Sequence, residues 1–131
     1  RFYRPYQDAL VGTIEAAKAA GRSPAVITIH SFTPIFNGVR RDLDIGILHD
    51  ADDRLANKIL AVSGLDGDLN VQRNKPYGPE DGATHTLAEH GVKRGLMNVM
   101  IEVRNDLIVS EAAQRAMSNR LAGWLKATMT Q

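Results

Sequence analysis

An α/β fold is predicted, built as three layers: a mostly parallel or mixed sheet with helices on both of its faces. Three observations predict it. Short segments rich in Ile and Val alternate along the chain with longer stretches of helical periodicity, the order that builds a largely parallel sheet. The best segments, 26–31 and 99–104, are apolar enough to lie inside a sheet rather than at its surface. The 131 residues suffice for one domain with a real core, and no internal repeat or low-complexity run interrupts them.

The elements follow in order. Pro5 can open a helix, because its missing N–H is not needed in the first turn. Leu10, Val11, Ile14, Ala17 and Ala20 recur at helical spacing, and Gly21 is a plausible C-cap. Pro24 leads into a strand over 25–30, with Ala25, Ile27 and Ile29 on one side and Thr28 and His30 on the other. Pro34 and Asn37-Gly38 mark an irregular loop. Residues 44–48 read as a second strand. Asp52 or Asp53 caps a helix carrying Leu55, Ile59, Leu60 and Val62, closed by Gly64 and Gly67. Residues 70–73 form a short third strand, and 75–82 form a loop with two prolines and two glycines. A weak helix over 84–94 ends at Gly95, and 96–104 is the strongest strand. Ser110 caps a final helix with Ala113, Met117, Leu121, Trp124 and Leu125 on one face.

Composition narrows the function. The formal net charge is +1 with scattered basic residues, so no nucleic-acid footprint is present. The absence of cysteine removes disulfides, thiolate metal sites and cysteine nucleophiles, and fits a cytoplasmic location. No apolar run approaches the roughly 20 residues of a membrane span. The opening Arg1-Phe2-Tyr3-Arg4-Pro5-Tyr6 reads as the interior of a protein. Residues 1–131 are therefore expected to be a single α/β domain lacking an N-terminal portion.

Two groups stand out chemically. Glu102 lies inside an apolar strand, where an ionised carboxylate costs several kcal/mol unless a cation or metal compensates it. Its structural explanation is a buried ion pair with Arg40, Arg41 or Arg104. Its functional explanation is a general base beside a metal. His30 lies where another core strand runs out, a natural place for a metal ligand. One polar group at each of two strand ends is how an open α/β sheet builds a site. His85 and His90 are five apart, which does not put them on one helix face, and they read as surface groups. His49 reads as loop decoration. The acidic run Asp42, Asp44, Asp50, Asp52 and Asp53 reads as caps and solvated surface. No Gly-rich phosphate loop, nucleophile elbow or His-Glu-x-x-His helix occurs.

Several blocks resemble one family. Ile27-Thr28-Ile29-His30-Ser31-Phe32-Thr33-Pro34, Asn37-Gly38, Asp44-Ile45-Gly46-Ile47-Leu48 and Asp53-Arg54-Leu55-Ala56 are similar to the N-formylglutamate amidohydrolases. So are Asn74-Lys75-Pro76-Tyr77, His90, Arg94-Gly95-Leu96 and Ile101-Glu102-Val103-Arg104-Asn105-Asp106-Leu107-Ile108, in the family's order. That family is related to the zinc carboxypeptidases. The resemblance implies a phosphorylase/hydrolase-like architecture and one zinc ion. It implies that His30 is the last zinc ligand and Glu102 the general base. Arg104 would position Glu102 or hold a substrate carboxylate, and Arg40, Asn74 and Tyr77 would contact substrate. The remaining zinc ligands, a His and an acidic residue, and an arginine that holds substrate are expected upstream of Arg1. The implied partner is a small N-acyl amino acid such as N-formyl-L-glutamate, hydrolysed to formate and the free amino acid. Neither nucleic acid nor a membrane is expected as a partner, and self-association as a homo-oligomer is kept open. The alternatives are a carboxypeptidase-like peptidase or amidase and a metal-free, non-enzymatic fragment.

Overall fold

The computed structural model describes residues 2–129. Its elements are α1 (Tyr3–Ala19), β1 (Val26–Phe32), β2 (Ile35–Phe36), β3 (Val39–Arg40), β4 (Ile45–Leu48), α2 (Arg54–Ser63), β5 (Val71–Arg73), α3 (His85–His90), β6 (Asn98–Arg104) and α4 (Glu111–Met129). Four strands form one sheet in the order β1-β6-β4-β5. The pairs β1/β6 and β4/β5 are parallel, and β4/β6 is antiparallel, so the sheet is mixed.

Side-chain alternation divides this sheet into two faces. One face carries Ile45, Ile47, Val99, Ile101 and Val103 and is sealed by Leu55, Ala56 and Ile59 of α2 and by Leu121 and Trp124 of α4. Each such fully buried aliphatic side chain contributes roughly 1.5–3 kcal/mol. The opposite face carries Val26, Leu48 and Met100, covered by Ile14 of α1 and Leu87 of α3. Helices thus flank the sheet on both sides, the predicted three layers. The second face is not apolar to its end. Beyond Met100 it presents His30, Glu102, Gly46 and Arg104 in adjacent register positions.

Several boundaries differ from the sequence expectation. Parallel pairing carries β1 on to Phe32, opposite Arg104, so His30 lies inside the strand rather than at its end. The loop after β1 contains a small hairpin, β2/β3, turned by Asn37 and Gly38 with φ of 51° and 75°. Asn-Gly is the pair that favours such a turn, because both positions need positive φ. The 84–94 helix is broken. α3 stops at His90, and a separate 3-10 turn covers Val92–Arg94. Gly91 packs against Asn98 so closely that a Cβ there would lie 2.5 Å from the Asn98 side chain. Asp53 occupies the N-cap of α2 without a side-chain cap bond, and Asp52 Oδ1 accepts from Arg54 N at 3.1 Å instead. Ser110 Oγ does cap α4, accepting from Ala113 N at 3.1 Å.

His90 corrects the surface reading. It is buried, 4% exposed, because it falls on the α3 face that packs on the sheet. Its Nε2–H donates to Gln7 Oε1, and burial pushes its pKa below the usual histidine range, with Arg94 adding to the effect. His85 is exposed and bonded to Tyr3.

Candidate active site

His30 and Glu102 occupy facing register positions on the adjacent parallel strands β1 and β6, so both side chains leave the same face of the sheet. Glu102 is 5% exposed and its Oε2 is buried without a hydrogen-bond partner. Burial raises its pKa above the usual carboxylate range, and the nearby His30 and Arg41 oppose that rise. His30 is exposed on the open side of the pair, and no hydrogen bond within the described residues engages its ring. A carboxylate with a raised pKa and a free oxygen, next to an uncommitted imidazole, is a plain arrangement for proton transfer.

The loop after β5 is brought over this pair by Gly46. Gly46 is the register partner of Glu102 on β4. A Cβ at Gly46 would lie 1.8 Å from the Lys75 carbonyl oxygen, so only glycine lets the chain lie flat on the sheet here. Asn74 fixes the start of that crossing. Its backbone N–H donates to Ile47 O at 3.0 Å and its Oδ1 accepts from His49 N at 2.9 Å. Asn74 is thereby tied to β4 and its side-chain oxygen is not turned to the His30–Glu102 pair. Tyr77, three residues on, reaches the site through Arg41, whose Nη2 donates to the Tyr77 hydroxyl at 3.2 Å.

Arg41, which sequence reading weighed only as an ion-pair partner, is the guanidinium that the structure brings to Glu102. It lies over the rings of Phe32 at 5.6 Å, Phe36 at 4.6 Å and Tyr77 at 5.3 Å, and its Nη1 donates to Thr33 O at 3.2 Å. Arg40 is exposed on the hairpin, paired with Ile35. The choice between neighbouring arginines is set by the hairpin register. The only signal in the sequence was the Asn-Gly turn that creates that register.

Arg104 is bonded away from Glu102. Its Nε donates to Asp106 Oδ1 at 2.7 Å, and its Nη1 to Asp44 Oδ1 and Leu43 O, both at 2.9 Å. It clamps the segment that leads from Arg41 into β4, and no bond to Glu102 is formed. The buried ion pair between Glu102 and Arg104 is therefore not made. His49, read as loop decoration, is held by Asp50 O at 2.7 Å and by Arg73 at 3.0 Å.

Zinc can be tested against these groups. One imidazole beside a buried carboxylate with a free oxygen fits one side of such a site. No cluster of three His, Asp or Glu side chains able to hold a metal occurs among the described residues. A tight zinc site takes at least three protein ligands, so His30 would be one donor of a larger set. No helix among the described residues is long and apolar enough to cross a membrane.

Comparison with known proteins bears on the family and the fold. None of the curated proteins matches the chain. The solved structure of gene product Atu2144 from Agrobacterium tumefaciens superposes with a TM-score of 0.94 at 48% identity, covering 98% of this chain and 50% of that one. The chain thus spans half the length of that protein. The family model described as N-formylglutamate amidohydrolase matches residues 1–109, which include His30, Arg41, Gly46, Tyr77 and Glu102. The chain belongs to the N-formylglutamate amidohydrolase family.

Proposed function

We propose that this chain forms the catalytic-base half of a zinc-dependent amidohydrolase that cleaves an N-acyl amino acid such as N-formyl-L-glutamate. The observation that carries the proposal is Glu102: a buried carboxylate, free at Oε2, facing His30 across two parallel strands. Membership of the family supports an amide-hydrolysing chemistry.

In this reading His30 is one zinc ligand, with the remaining donors outside the described residues. Bound zinc supplies a Lewis acid that makes the acyl carbonyl more electrophilic and water easier to deprotonate. Glu102 Oε2 takes the proton of the attacking water and delivers it to the leaving nitrogen as the C–N bond breaks. The products are formate and the free amino acid. Burial, which pushes the Glu102 pKa up, makes the carboxylate a stronger base toward water than an exposed one. The apolar wall of β6 keeps bulk water from solvating the carboxylate.

The test is made on the full-length protein loaded with zinc. It is expected to release formate from N-formyl-L-glutamate, and His30→Ala is expected to lose both bound zinc and turnover. Zinc retained at one equivalent in His30→Ala would remove His30 from the ligand set. Failure of the wild-type protein to release formate from any N-formyl amino acid would overturn the function.

A further inference from the structure

We propose that Arg41, framed by Phe32, Phe36 and Tyr77, is the anion-binding residue of this site and takes a carboxylate of the acyl amino acid. The proposal rests on the amidohydrolase reading and adds the group that selects the substrate.

The argument begins with an unneutralised cation. Each of the other partly buried arginines near the sheet has an acidic partner: Arg104 has Asp44 and Asp106, Arg94 has Glu15, and Arg120 has Asp66 and Asp68. Arg41 is partly buried, yet no carboxylate lies within ion-pair distance of it among the described residues. Its two hydrogen bonds go to neutral oxygens, Thr33 O and the Tyr77 hydroxyl. Those bonds use only part of the guanidinium's donor set, and the remaining N–H groups keep the planar fork suited to a carboxylate. The three rings lie against the guanidinium and hold it in place by cation–π contact.

Placement supplies the rest. Arg41 is close enough to Glu102 to favour its ionised form. A carboxylate bound on Arg41 would therefore sit on the same side of the sheet as the base. Arg41 is also fixed independently of Glu102. Its segment is clamped from behind by Arg104, and its side chain by the hairpin and by Tyr77. A cation rigid on its own elements suits substrate recognition, where the geometry must exist before the ligand arrives.

The experiment compares three substrates on the zinc-loaded, full-length protein: N-formyl-L-glutamate, N-formyl-L-glutamine, which lacks the side-chain carboxylate, and the α-amide of N-formyl-L-glutamate, which lacks the other. The wild type is expected to favour the diacid over one of the amides. Arg41→Gln is expected to raise KM for the diacid about tenfold or more, the size of a lost charge-assisted bond, and to abolish that discrimination. Tyr77→Phe should raise KM by a smaller factor in the same direction. An equal fall in kcat on all three substrates, with KM unchanged, would overturn the proposal and make Arg41 an oxyanion stabiliser. Unchanged kinetics would overturn it too. If the wild type hydrolyses none of the three, the amidohydrolase reading fails, and calorimetric titration with glutarate decides this proposal separately. Weaker binding in Arg41→Gln supports it, and equal binding refutes it.

Discussion

Glu102 and Arg104 stand two residues apart on the same face of β6, both buried and both charged, and their surroundings differ completely. Arg104 is neutralised: two carboxylates and a backbone carbonyl lie within 2.9 Å of its Nε and Nη1. Glu102 keeps a buried oxygen with no partner. The first arrangement lowers the cost of a buried charge by placing opposite charges and a carbonyl against it. The second leaves that cost in place. A charge kept for structure is closed off, whereas a charge kept for chemistry retains an open valence. In the proposed function this difference, rather than burial, is what sets Glu102 apart, since both groups are buried.

The largest expected effect tests the closed corner. Arg104→Ala should destabilise the full-length protein by about 3–5 kcal/mol, the usual cost of stranding the partner of a buried ion pair. Urea unfolding followed by circular dichroism measures it. A loss under about 1 kcal/mol, the value of an exposed pair, would mean that Asp44 and the 41–43 carbonyls are rehydrated and the corner is not closed.

The open oxygen is tested next. Glu102→Gln should lower kcat at least about a hundredfold while leaving zinc bound, because shape is kept and the base is lost. Stability should move the other way. Burial raises the Glu102 pKa, so the fold binds its proton more tightly than the unfolded chain does. The stability from this group is thus present at low pH and lost as pH rises through its folded pKa. The Gln variant lacks that slope and should melt higher than the metal-free wild type at neutral pH. Thermal melts across a pH series would sink this contrast if the variant were the less stable one at pH 7.

A smaller effect sharpens the boundary between the two regions. Gly46→Ala places a methyl on the Lys75 carbonyl and should cost about 1–3 kcal/mol, as overpacking does. The displaced loop carries Tyr77, so KM on N-formyl-L-glutamate should rise along with the loss of stability. Destabilisation with unchanged KM would show that the loop moves without disturbing Arg41.

The sequence reveals the open residue better than the closed one. Period-two alternation sets which residues share a face, so His30 and Glu102 could be placed together from two strands and their direction. The three layers were legible for the same reason, since apolar strands must be covered on both sides. What the sequence hides is pairing between distant segments. Arg104 meets Asp44 across sixty positions, and nothing local to Glu102-Val103-Arg104 distinguishes a clamp from a substrate ligand. The choice of Arg41 over Arg40 depends on a two-residue hairpin register, and the burial of His90 on how a six-residue helix rolls against the sheet. Spacing rules for metal ligands say nothing about that roll.

The antiparallel junction between β4 and β6 has a consequence for how such a site can change. Because β4 runs against β1 and β6, the segment 33–44 leaves the sheet after Phe32 and re-enters it at Ile45 at the same end, across β6. Its two ends are anchored next to each other, one opposite Arg104 and the other opposite Val103. The segment is therefore a cassette. It carries Arg41 and Phe36 but none of the sheet's central residues, so positions 33–40 can change in length and composition while the Arg104 clamp on Leu43 and Asp44 holds the end of the segment in place. In the proposed function, selectivity and catalysis would then sit on separately replaceable parts, and an engineer seeking a different acyl amino acid would vary this loop and leave the strands alone.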